Sequence, residues 1–590
     1  MSILHSARRS KASRRRKRRV RTGALVALAI TSSSVLMIGL GADAIASRLS
    51  CNSNPVLINV AVSSDIAPAI QRIAQLFNRQ QHQTAGRCVV VQIDPGSPAQ
   101  AAAQIEGQHP AIGQPPIDAW IPDSSLWVDE AQRFPVGAQT VQPSGFSVAS
   151  SPLMIVMPPA AAARTSAFGR SGWRLLVPRS AGGPVVPAGF RVDLPDPSQS
   201  AAGLAALIEI SRLLGPGPAA RVDFARFVYA SAVTSYFDDP TSLASFVSLA
   251  APPLNGYPVT VTSEQAVLAY DEANPRRPLA ASYPTGSTSA LGSPELDYPY
   301  VLTTSSHLRL AAAALFGQML RGNYAATVIR FANFRSAGGV PDRFPASYGL
   351  SSQLLQVAPA ATSVEAPTAL QVWTKLALAS RDLALIDISA AMAKPGSPGG
   401  PSFERELTQT ASLGLTLFPD TTEMGLWEFA DRLDGALPYK LIVPVGPLPA
   451  DVGPISRRTT LEKTNAEIQA NGGQRVALYG SILDAYKYML ATYQPRFDNS
   501  VLVLTSGVEN APGDITARQL IRTLTRLYNP ARRVAIIVIV FGGAGNFGEL
   551  QRVAATTGGQ AYQITDPSQV VKVFFQAVAH RLCDPNCVAP

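Results

Sequence analysis

Apolar residues recur along this chain in two rhythms, one suited to strands and one to helices. "VLINVAVSS" (56–64) is a nearly continuous apolar run and reads as a buried strand. The next stretch, "DIAPAIQRIAQLFNRQQ", places Ile66, Ile70, Ile73, Ala74 and Phe77 at helical spacing and predicts a one-faced helix. "CVVVQIDP" and "SVASSPLMIVMP" return to the strand pattern. "SAAGLAALIEISRLL", "TSEQAVLAYDEAN" and the closing "RLAAAALFGQMLRGNYAATVIRFANFR" carry further elements. Strand, helix, strand at this spacing predicts right-handed crossovers and a mostly parallel sheet over about 56–335.

Residues 336–378 begin rich in Gly, Pro, Ser and Ala, and read as a linker that enters a helix. The alternation then resumes. "LALIDIS", "GLWEFA", "YKLIVPVGPL", "NSVLVLTSG" and "RVAIIVIVFGG" are strands. The last is almost wholly apolar, as a strand covered on both faces must be. "RTTLEKTNAEIQAN", "SILDAYKYMLATY", "ITARQLIRTLTRLY" and "PSQVVKVFFQAVAHRL" are helices between or after them. This pattern predicts a doubly wound α/β unit over 379–582.

Charge adds a topology. The first 21 residues hold ten Lys and Arg and no acid; without them, forty bases face forty acids. Residues 23–42 contain no charge and are long enough for a bilayer core of about 30 Å. We therefore expect a basic cytoplasmic tail (1–22), a transmembrane helix (23–45) and an extracytoplasmic remainder, a single-pass protein of the cell membrane. A cleaved signal peptide is the alternative, since small residues at 42–46 suit cleavage. The basic run is read as topogenic, and no nucleic-acid partner is expected. All four cysteines lie beyond the apolar segment. Local pairing, Cys51 with Cys88 and Cys583 with Cys587, suits an oxidising exterior, the second pair lying in a short tail at 583–590.

Two resemblances follow from particular residues. "AVSSDIAPAIQRIAQLFN", "IDAWIPDSSLW", "SSPLMIVMP" and the closing "NFR" at 333–335, in that order, resemble the two-lobed substrate-binding proteins of ABC transporters. The domain would run over 51–335, with ligand between the lobes. The resemblance implies Ser63 and Ser64, at a strand end, and Ser150 and Ser151, at the crossover between lobes, as ligand-binding candidates. A serine there can equally cap the helix that begins near Asp65, and Asp65 itself opposes an anion. The second half resembles a von Willebrand factor type A domain, through "LTLFPDTTEMGLWEFADRLDG", "IVPVGPL" and "LYGSILDAYKYM". The order of parts resembles an actinobacterial group in which a membrane-anchored substrate-binding domain is fused to a type A domain. The fold class expected is thus α/β: an N-terminal transmembrane helix, a two-lobed α/β domain, then a Rossmann-like type A domain.

Type A domains bind magnesium through Asp-x-Ser-x-Ser, a loop-two threonine and a loop-three aspartate. Here Asp387 and Ser389 remain, but Ala391 replaces the second serine, "NGGQRVALYGS" holds no threonine, and Ser506 stands for the aspartate. Magnesium demands a near-ideal octahedron of oxygens. The site is therefore read as vestigial, with no cofactor expected; Arg475 would pair with Asp387, or Glu509 would restore a ligand. No Gly-x-Ser-x-Gly elbow, Walker loop or His-Glu-x-x-His motif is present, so no enzyme is expected. The expected function is binding of a small solute or envelope component by the first half and of a protein by the second. A solute receptor for an ABC transporter is the alternative.

Overall fold

The computed structural model describes residues 54–107, 115–165, 168–177, 190–232, 257–284, 293–336, 350, 357–395, 399–435, 437–470, 475–509, 511–542 and 546–583. The expected anchor, Cys51, Cys587 and residues 471–474 of loop two lie outside this set. Among the described residues no helix is long and apolar enough to cross a membrane.

The first lobe is a six-stranded sheet. Its strands are β1 (Val56–Ser63), β2 (Gln83–Thr84), β3 (Arg87–Gly96), β4 (Ala119–Ile121), β5 (Gln142–Ser147) and, arriving late, β11 (Pro299–Leu302). The order is β2-β3-β1-β4-β11-β5. β1 pairs in parallel with β3 and β4, and β11 runs antiparallel to β4 and β5. Helices α1 (Ala67–Arg79), α2 (Pro98–Ile105) and α3 (Ser125–Gln132) connect the parallel strands. The predicted apolar stripe of α1 is what it buries: Ile70, Ile73, Ala74 and Phe77.

The second lobe departs from the expected mostly parallel sheet. Its strand β6 (Ser151–Met157) is antiparallel to β8 (Tyr257–Ser263), β9 (Ala280–Ser282) and β10 (Glu295–Leu296); only β7 (Phe190–Val192) lies parallel to β8. Periodicity cannot separate the two arrangements, because β6 is buried along its whole length either way. The lobe's helices are α4 (Ala201–Leu214), α5 (Pro218–Ala232) and α6 (Glu264–Ala273). Gly203 in α4 is required by contact: a Cβ there would lie 2.1 Å from the carbonyl oxygen of Pro195. Helices α7 (His307–Leu320) and α8 (Asn323–Phe331) return the chain to the first lobe, where α7 meets β1 and α8 meets α1.

At the crossover Ser150 and Arg335 exchange two backbone hydrogen bonds, both 2.9 Å. The Arg335 guanidinium is buried and makes two 2.7 Å bonds to the Glu264 carboxylate. Tyr283 donates its hydroxyl to the same carboxylate.

Helix α9 (Glu365–Ala377) packs on α4 and α5 and leads into the second half. There β12 (Ser380–Asp387), β13 (Glu423–Asp434), β14 (Leu437–Pro447), β17 (Asp498–Thr505), β18 (Val534–Phe541) and β19 (Ala561–Ile564) form a sheet ordered β14-β13-β12-β17-β18-β19. All pairs are parallel except β13 with β14. A two-strand hairpin, β15 (Asp451–Val452) and β16 (Ile455–Ser456), sits apart. Period-two alternation sends Leu383 and Leu385 into one core and Ile386 into another, so both faces are covered. Helices α10 (Phe403–Leu415), α11 (Arg457–Glu467) and α15 (Val570–His580) border one core. Helices α12 (Leu478–Ala491), α13 (Ala517–Leu527) and α14 (Phe547–Ala555) border the other. Thr516 and Gln519 start α13 with a reciprocal capping box.

The two halves share apolar contact. Tyr229 of α5 meets Phe574 of α15 edge to face, 5.2 Å between centroids, and Arg226 lies 4.7 Å above the Phe575 ring.

Candidate functional site: a cleft between two lobes

A cavity of about 300 Å³ lies between the start of α3, the Glu295–Asp297 segment and α4. That is the lower end of the range that small-ligand sites occupy. From the first lobe come Ser124 and Ser125. Ser124 Oγ caps α3 by accepting from Leu126 N at 3.3 Å, and Ser125 N donates to Asp297 Oδ1 at 2.7 Å. From the second lobe come Ile208, Glu209 and Arg212. Residues 357–361 close one side.

Among the described residues, three that carry carboxylates, Glu209, Glu295 and Asp297, line this space with one arginine. That arginine is engaged. Arg212 binds Glu209 at 2.7 Å, Glu365 at 2.7 and 2.8 Å, and the carbonyls of Pro359 and Ala360. Glu209 Oε2 is buried with no hydrogen-bond partner among the described residues. Burial raises the Glu209 pKa, and the Arg212 charge opposes the rise. Burial also raises that of Asp297, against the bonds from Ser125. The Arg212 hydrogen bond draws Glu365 down to about 2.

The four serines singled out from sequence are spread out, and none lines this cavity. Ser63 borders a separate hollow of about 360 Å³ in the first lobe, with Asp94, Ser97, Gln100 and Trp120. Ser64 is exposed and donates to the Gly96 carbonyl. Neither caps α1: Asp65 Oδ1 accepts from Ile66 N at 2.9 Å, and Tyr298 donates to its other oxygen. Ser150 lies in the crossover, and Ser151 Oγ accepts from Gln265 N at 3.0 Å, at the start of α6. Sequence reasoning missed Glu209, Arg212 and Asp297. A signal existed in "LAALIEISRLL", where one Glu–Arg pair at i,i+3 interrupts an otherwise apolar helix.

In the second half, Asp387 ends β12 fully buried. Its Oδ1 accepts from Ser389 N at 3.0 Å. Its Oδ2 accepts from Thr505 Oγ1 at 2.7 Å, and more loosely from Ser506 at 3.4 Å. Burial pushes its pKa up, and these donors oppose the shift. Arg475 does not pair with it: that side chain is exposed and its carbonyl accepts from Asp431 N. Glu509 does not restore a ligand either. Its carboxylate takes the N–H groups of Leu478, at 2.5 Å, and of Ala511, at 2.8 Å, while Asp514 takes that of Gly480 at 3.1 Å. Two carboxylates thus crown the start of α12, where the helix dipole favours them. Burial, then the hydrogen bond with Asp514, pushes Glu509 up to about 7. Asp387 thus holds two firm donors, Ser389 N and Thr505 Oγ1, while the buried Ser389 Oγ has no hydrogen-bond partner among the described residues. Among the described residues no group of three or more His, Cys, Asp or Glu is placed to hold a metal ion.

Cys88 and Cys583 are both disulfide-bonded. Cys51 and Cys587, their expected partners, lie outside the described residues.

Residues 58–335 match the family model of bacterial extracellular solute-binding proteins. Two uncharacterized proteins of Mycobacterium tuberculosis, from strains CDC 1551 and H37Rv, are 26% identical to this chain over 573 residues, 92% of it and 80% of their own length. Among solved structures, a periplasmic thiamin binding protein overlaps 55% of this chain and 96% of its own, with 12% identity and a TM-score of 0.40. A von Willebrand factor type A protein from Catenulispora acidiphila overlaps 35% of this chain and 43% of its own, with 16% identity and a TM-score of 0.27. Residues 58–335, a little under half of this chain, are thus similar to bacterial extracellular solute-binding proteins.

Proposed function

We propose that this is an extracytoplasmic binding protein, anchored by residues 23–45, whose two-lobed half takes a small solute. The other half is then a von Willebrand factor type A domain that contacts a protein partner without a metal ion. The family match supports solute binding. The parallel sheet, with Asp387 and Ser389 at the carboxyl end of β12, supports the type A reading.

The observation that carries the class of solute is the charge of the interlobe cavity. Three carboxylates line it, and its one arginine is already held by Glu209 and Glu365. This balance favours an organic cation over an anion, with Glu209 among the lining carboxylates such a cation would meet. Calorimetric titration of the full chain with spermidine and with sulfate tests this. We expect heat of binding from spermidine, lost in Glu209→Gln, and none from sulfate. Saturable sulfate binding, or a spermidine isotherm indifferent to Glu209→Gln, would overturn it.

A transport receptor that delivers its solute to an ABC permease is supported at least as well by the same family match. Stimulation of a permease by solute-loaded protein would distinguish it from a sensor or scaffold.

A further inference from the structure

Composition casts residues 336–378 as a linker, and the family match ends at Arg335. Yet α9, which lies in this stretch, is not a free spacer. Its buried face is a stripe at helical spacing: Ala366, Ala369, Val372, Trp373 and Leu376. The helix packs on α4 and α5 of the second lobe, on α3 of the first, and on residues 581–583. Its stripe belongs to the apolar core that also holds Leu126 and Trp127 of α3, Leu207 of α4 and Phe224 of α5. One helix from outside the matched residues therefore spans both lobes.

Both ends of α9 are fixed. At its start, Glu365 binds Arg212, which also binds Glu209 in the wall of the interlobe cavity. Residues 357–361 line the same cavity. At its other end, two residues, Leu378 and Ala379, separate α9 from β12. The Leu378 carbonyl accepts from Arg581 Nη1 at 3.0 Å, and the Ala379 carbonyl accepts from Asp498 N at 3.0 Å. Arg581, 9% exposed, also donates to Ser380 Oγ and pairs with Asp498, both at 2.8 Å. Ser380 and Asp498 open β12 and β17 and are register partners. The connection has no slack.

We propose that α9 is a strap that couples the separation of the two lobes to the β12–β17 end of the second half. A rigid helix seated on both lobes cannot stay seated when they move relative to one another. It must tilt, slide or leave one of them. With no slack after Ala377, that displacement is delivered to Leu378, Ser380 and Asp498. The coupling is reciprocal: loosening α9 must also loosen the lobes. The proposal rests on the reading of two lobes that enclose a solute.

The test uses the full chain without solute, so its outcome is separate from that of the spermidine titration. Glu365→Ala releases the start of α9 and leaves the Glu209–Arg212 pair in place. Amide hydrogen exchange over 378–381 and 498–500 should quicken about threefold, within what one partly exposed ion pair supplies. The distance distribution between spin labels at Val136→Cys and Ala219→Cys, one on each lobe, should widen. Three glycines inserted between Ala377 and Leu378 supply slack. Glu365→Ala should then still quicken exchange over 362–366 but no longer over 378–381. If Glu365→Ala changes nothing, Trp373→Ala, which removes the bulkiest buried side chain of α9, decides by the same readouts in protein whose melting profile shows it folded. Exchange changes confined to 357–377 with the lobe distance unaltered, or an equal response at 378–381 with and without the glycines, would overturn the proposal.

Discussion

Thr505 Oγ1 donates to Asp387 Oδ2 at 2.7 Å between two neighbouring parallel strands, β17 and β12. This hydroxyl holds one oxygen of a fully buried carboxylate. An ion stabilises a fold only by binding its native state, by RT ln(1 + [L]/Kd). We therefore expect the full chain to melt at the same temperature in millimolar magnesium, in manganese and in chelator. Asp387→Ala should destabilise by about 1–3 kcal/mol through the donors it leaves buried and unmet. A rise of several degrees with magnesium in differential scanning calorimetry would contradict this.

Burial pushes Asp382 up to about 7. Its folded pKa then lies above the unfolded one, so its contribution to stability is complete below the unfolded value of 3.8 and is lost as pH rises through about 7. Melting temperature should fall between pH 4.5 and 8, with a slope of at most about 1.4 kcal/mol per pH unit for one proton. Asp382→Asn should flatten that part of the profile. A wild-type curve that rises over the same range would count against the burial argument.

The Arg335–Glu264 pair lies beside the crossover at 2.7 Å, with side chains 2% and 1% exposed. Removing one partner leaves the other charge buried alone. Glu264→Ala should cost about 3–5 kcal/mol, whereas replacing both partners by apolar residues should cost much less. Thermal unfolding of the single and double variants decides.

Arg212 fastens α9 to α4 through Glu365. Arg212→Ala should speed amide hydrogen exchange over 357–377. Glu365 has a folded pKa depressed to about 2, so its contribution is present above its usual value of 4.5 and lost as pH falls toward 2. Because the Glu365 side chain is partly exposed, solvent screening should keep the effect small. Unchanged exchange in the variant would show that α9 is held by its apolar face alone.

Non-reducing peptide mapping should find Cys51 bonded to Cys88 and Cys583 to Cys587. Any other pairing would remove the local-loop reading of the cysteines.

Much of this architecture is legible in the residues. The stripe Ile70, Ile73, Ala74, Phe77 predicts the buried face of α1, and the unbroken apolar run of β18 predicts a strand covered on both sides. The antiparallel neighbours of β6 are not legible, because burial on both faces erases the alternation that would betray them. The cleft was harder. Its carboxylates come from Glu209 and from the 295–297 segment, distant in sequence, and only folding brings the two to one cavity. The metal loops show the same divide. The residues at Ala391 and Ser506 can be read from the sequence, but the partners of Asp387 cannot. Thr505 reaches Asp387 because the strands lie in register, and Glu509 turns to the start of α12 instead.

The central claim is that solute binds between the lobes. The direct test is the distance between spin labels on the full chain, one at Val136→Cys on the first lobe and one at Ala219→Cys on the second. Both positions are exposed. Pulsed electron resonance with and without spermidine reports closure. The account predicts a shorter distance with spermidine, no change with sulfate, and no response in Glu209→Gln. A distance that spermidine leaves unchanged, or that sulfate shortens, would contradict it.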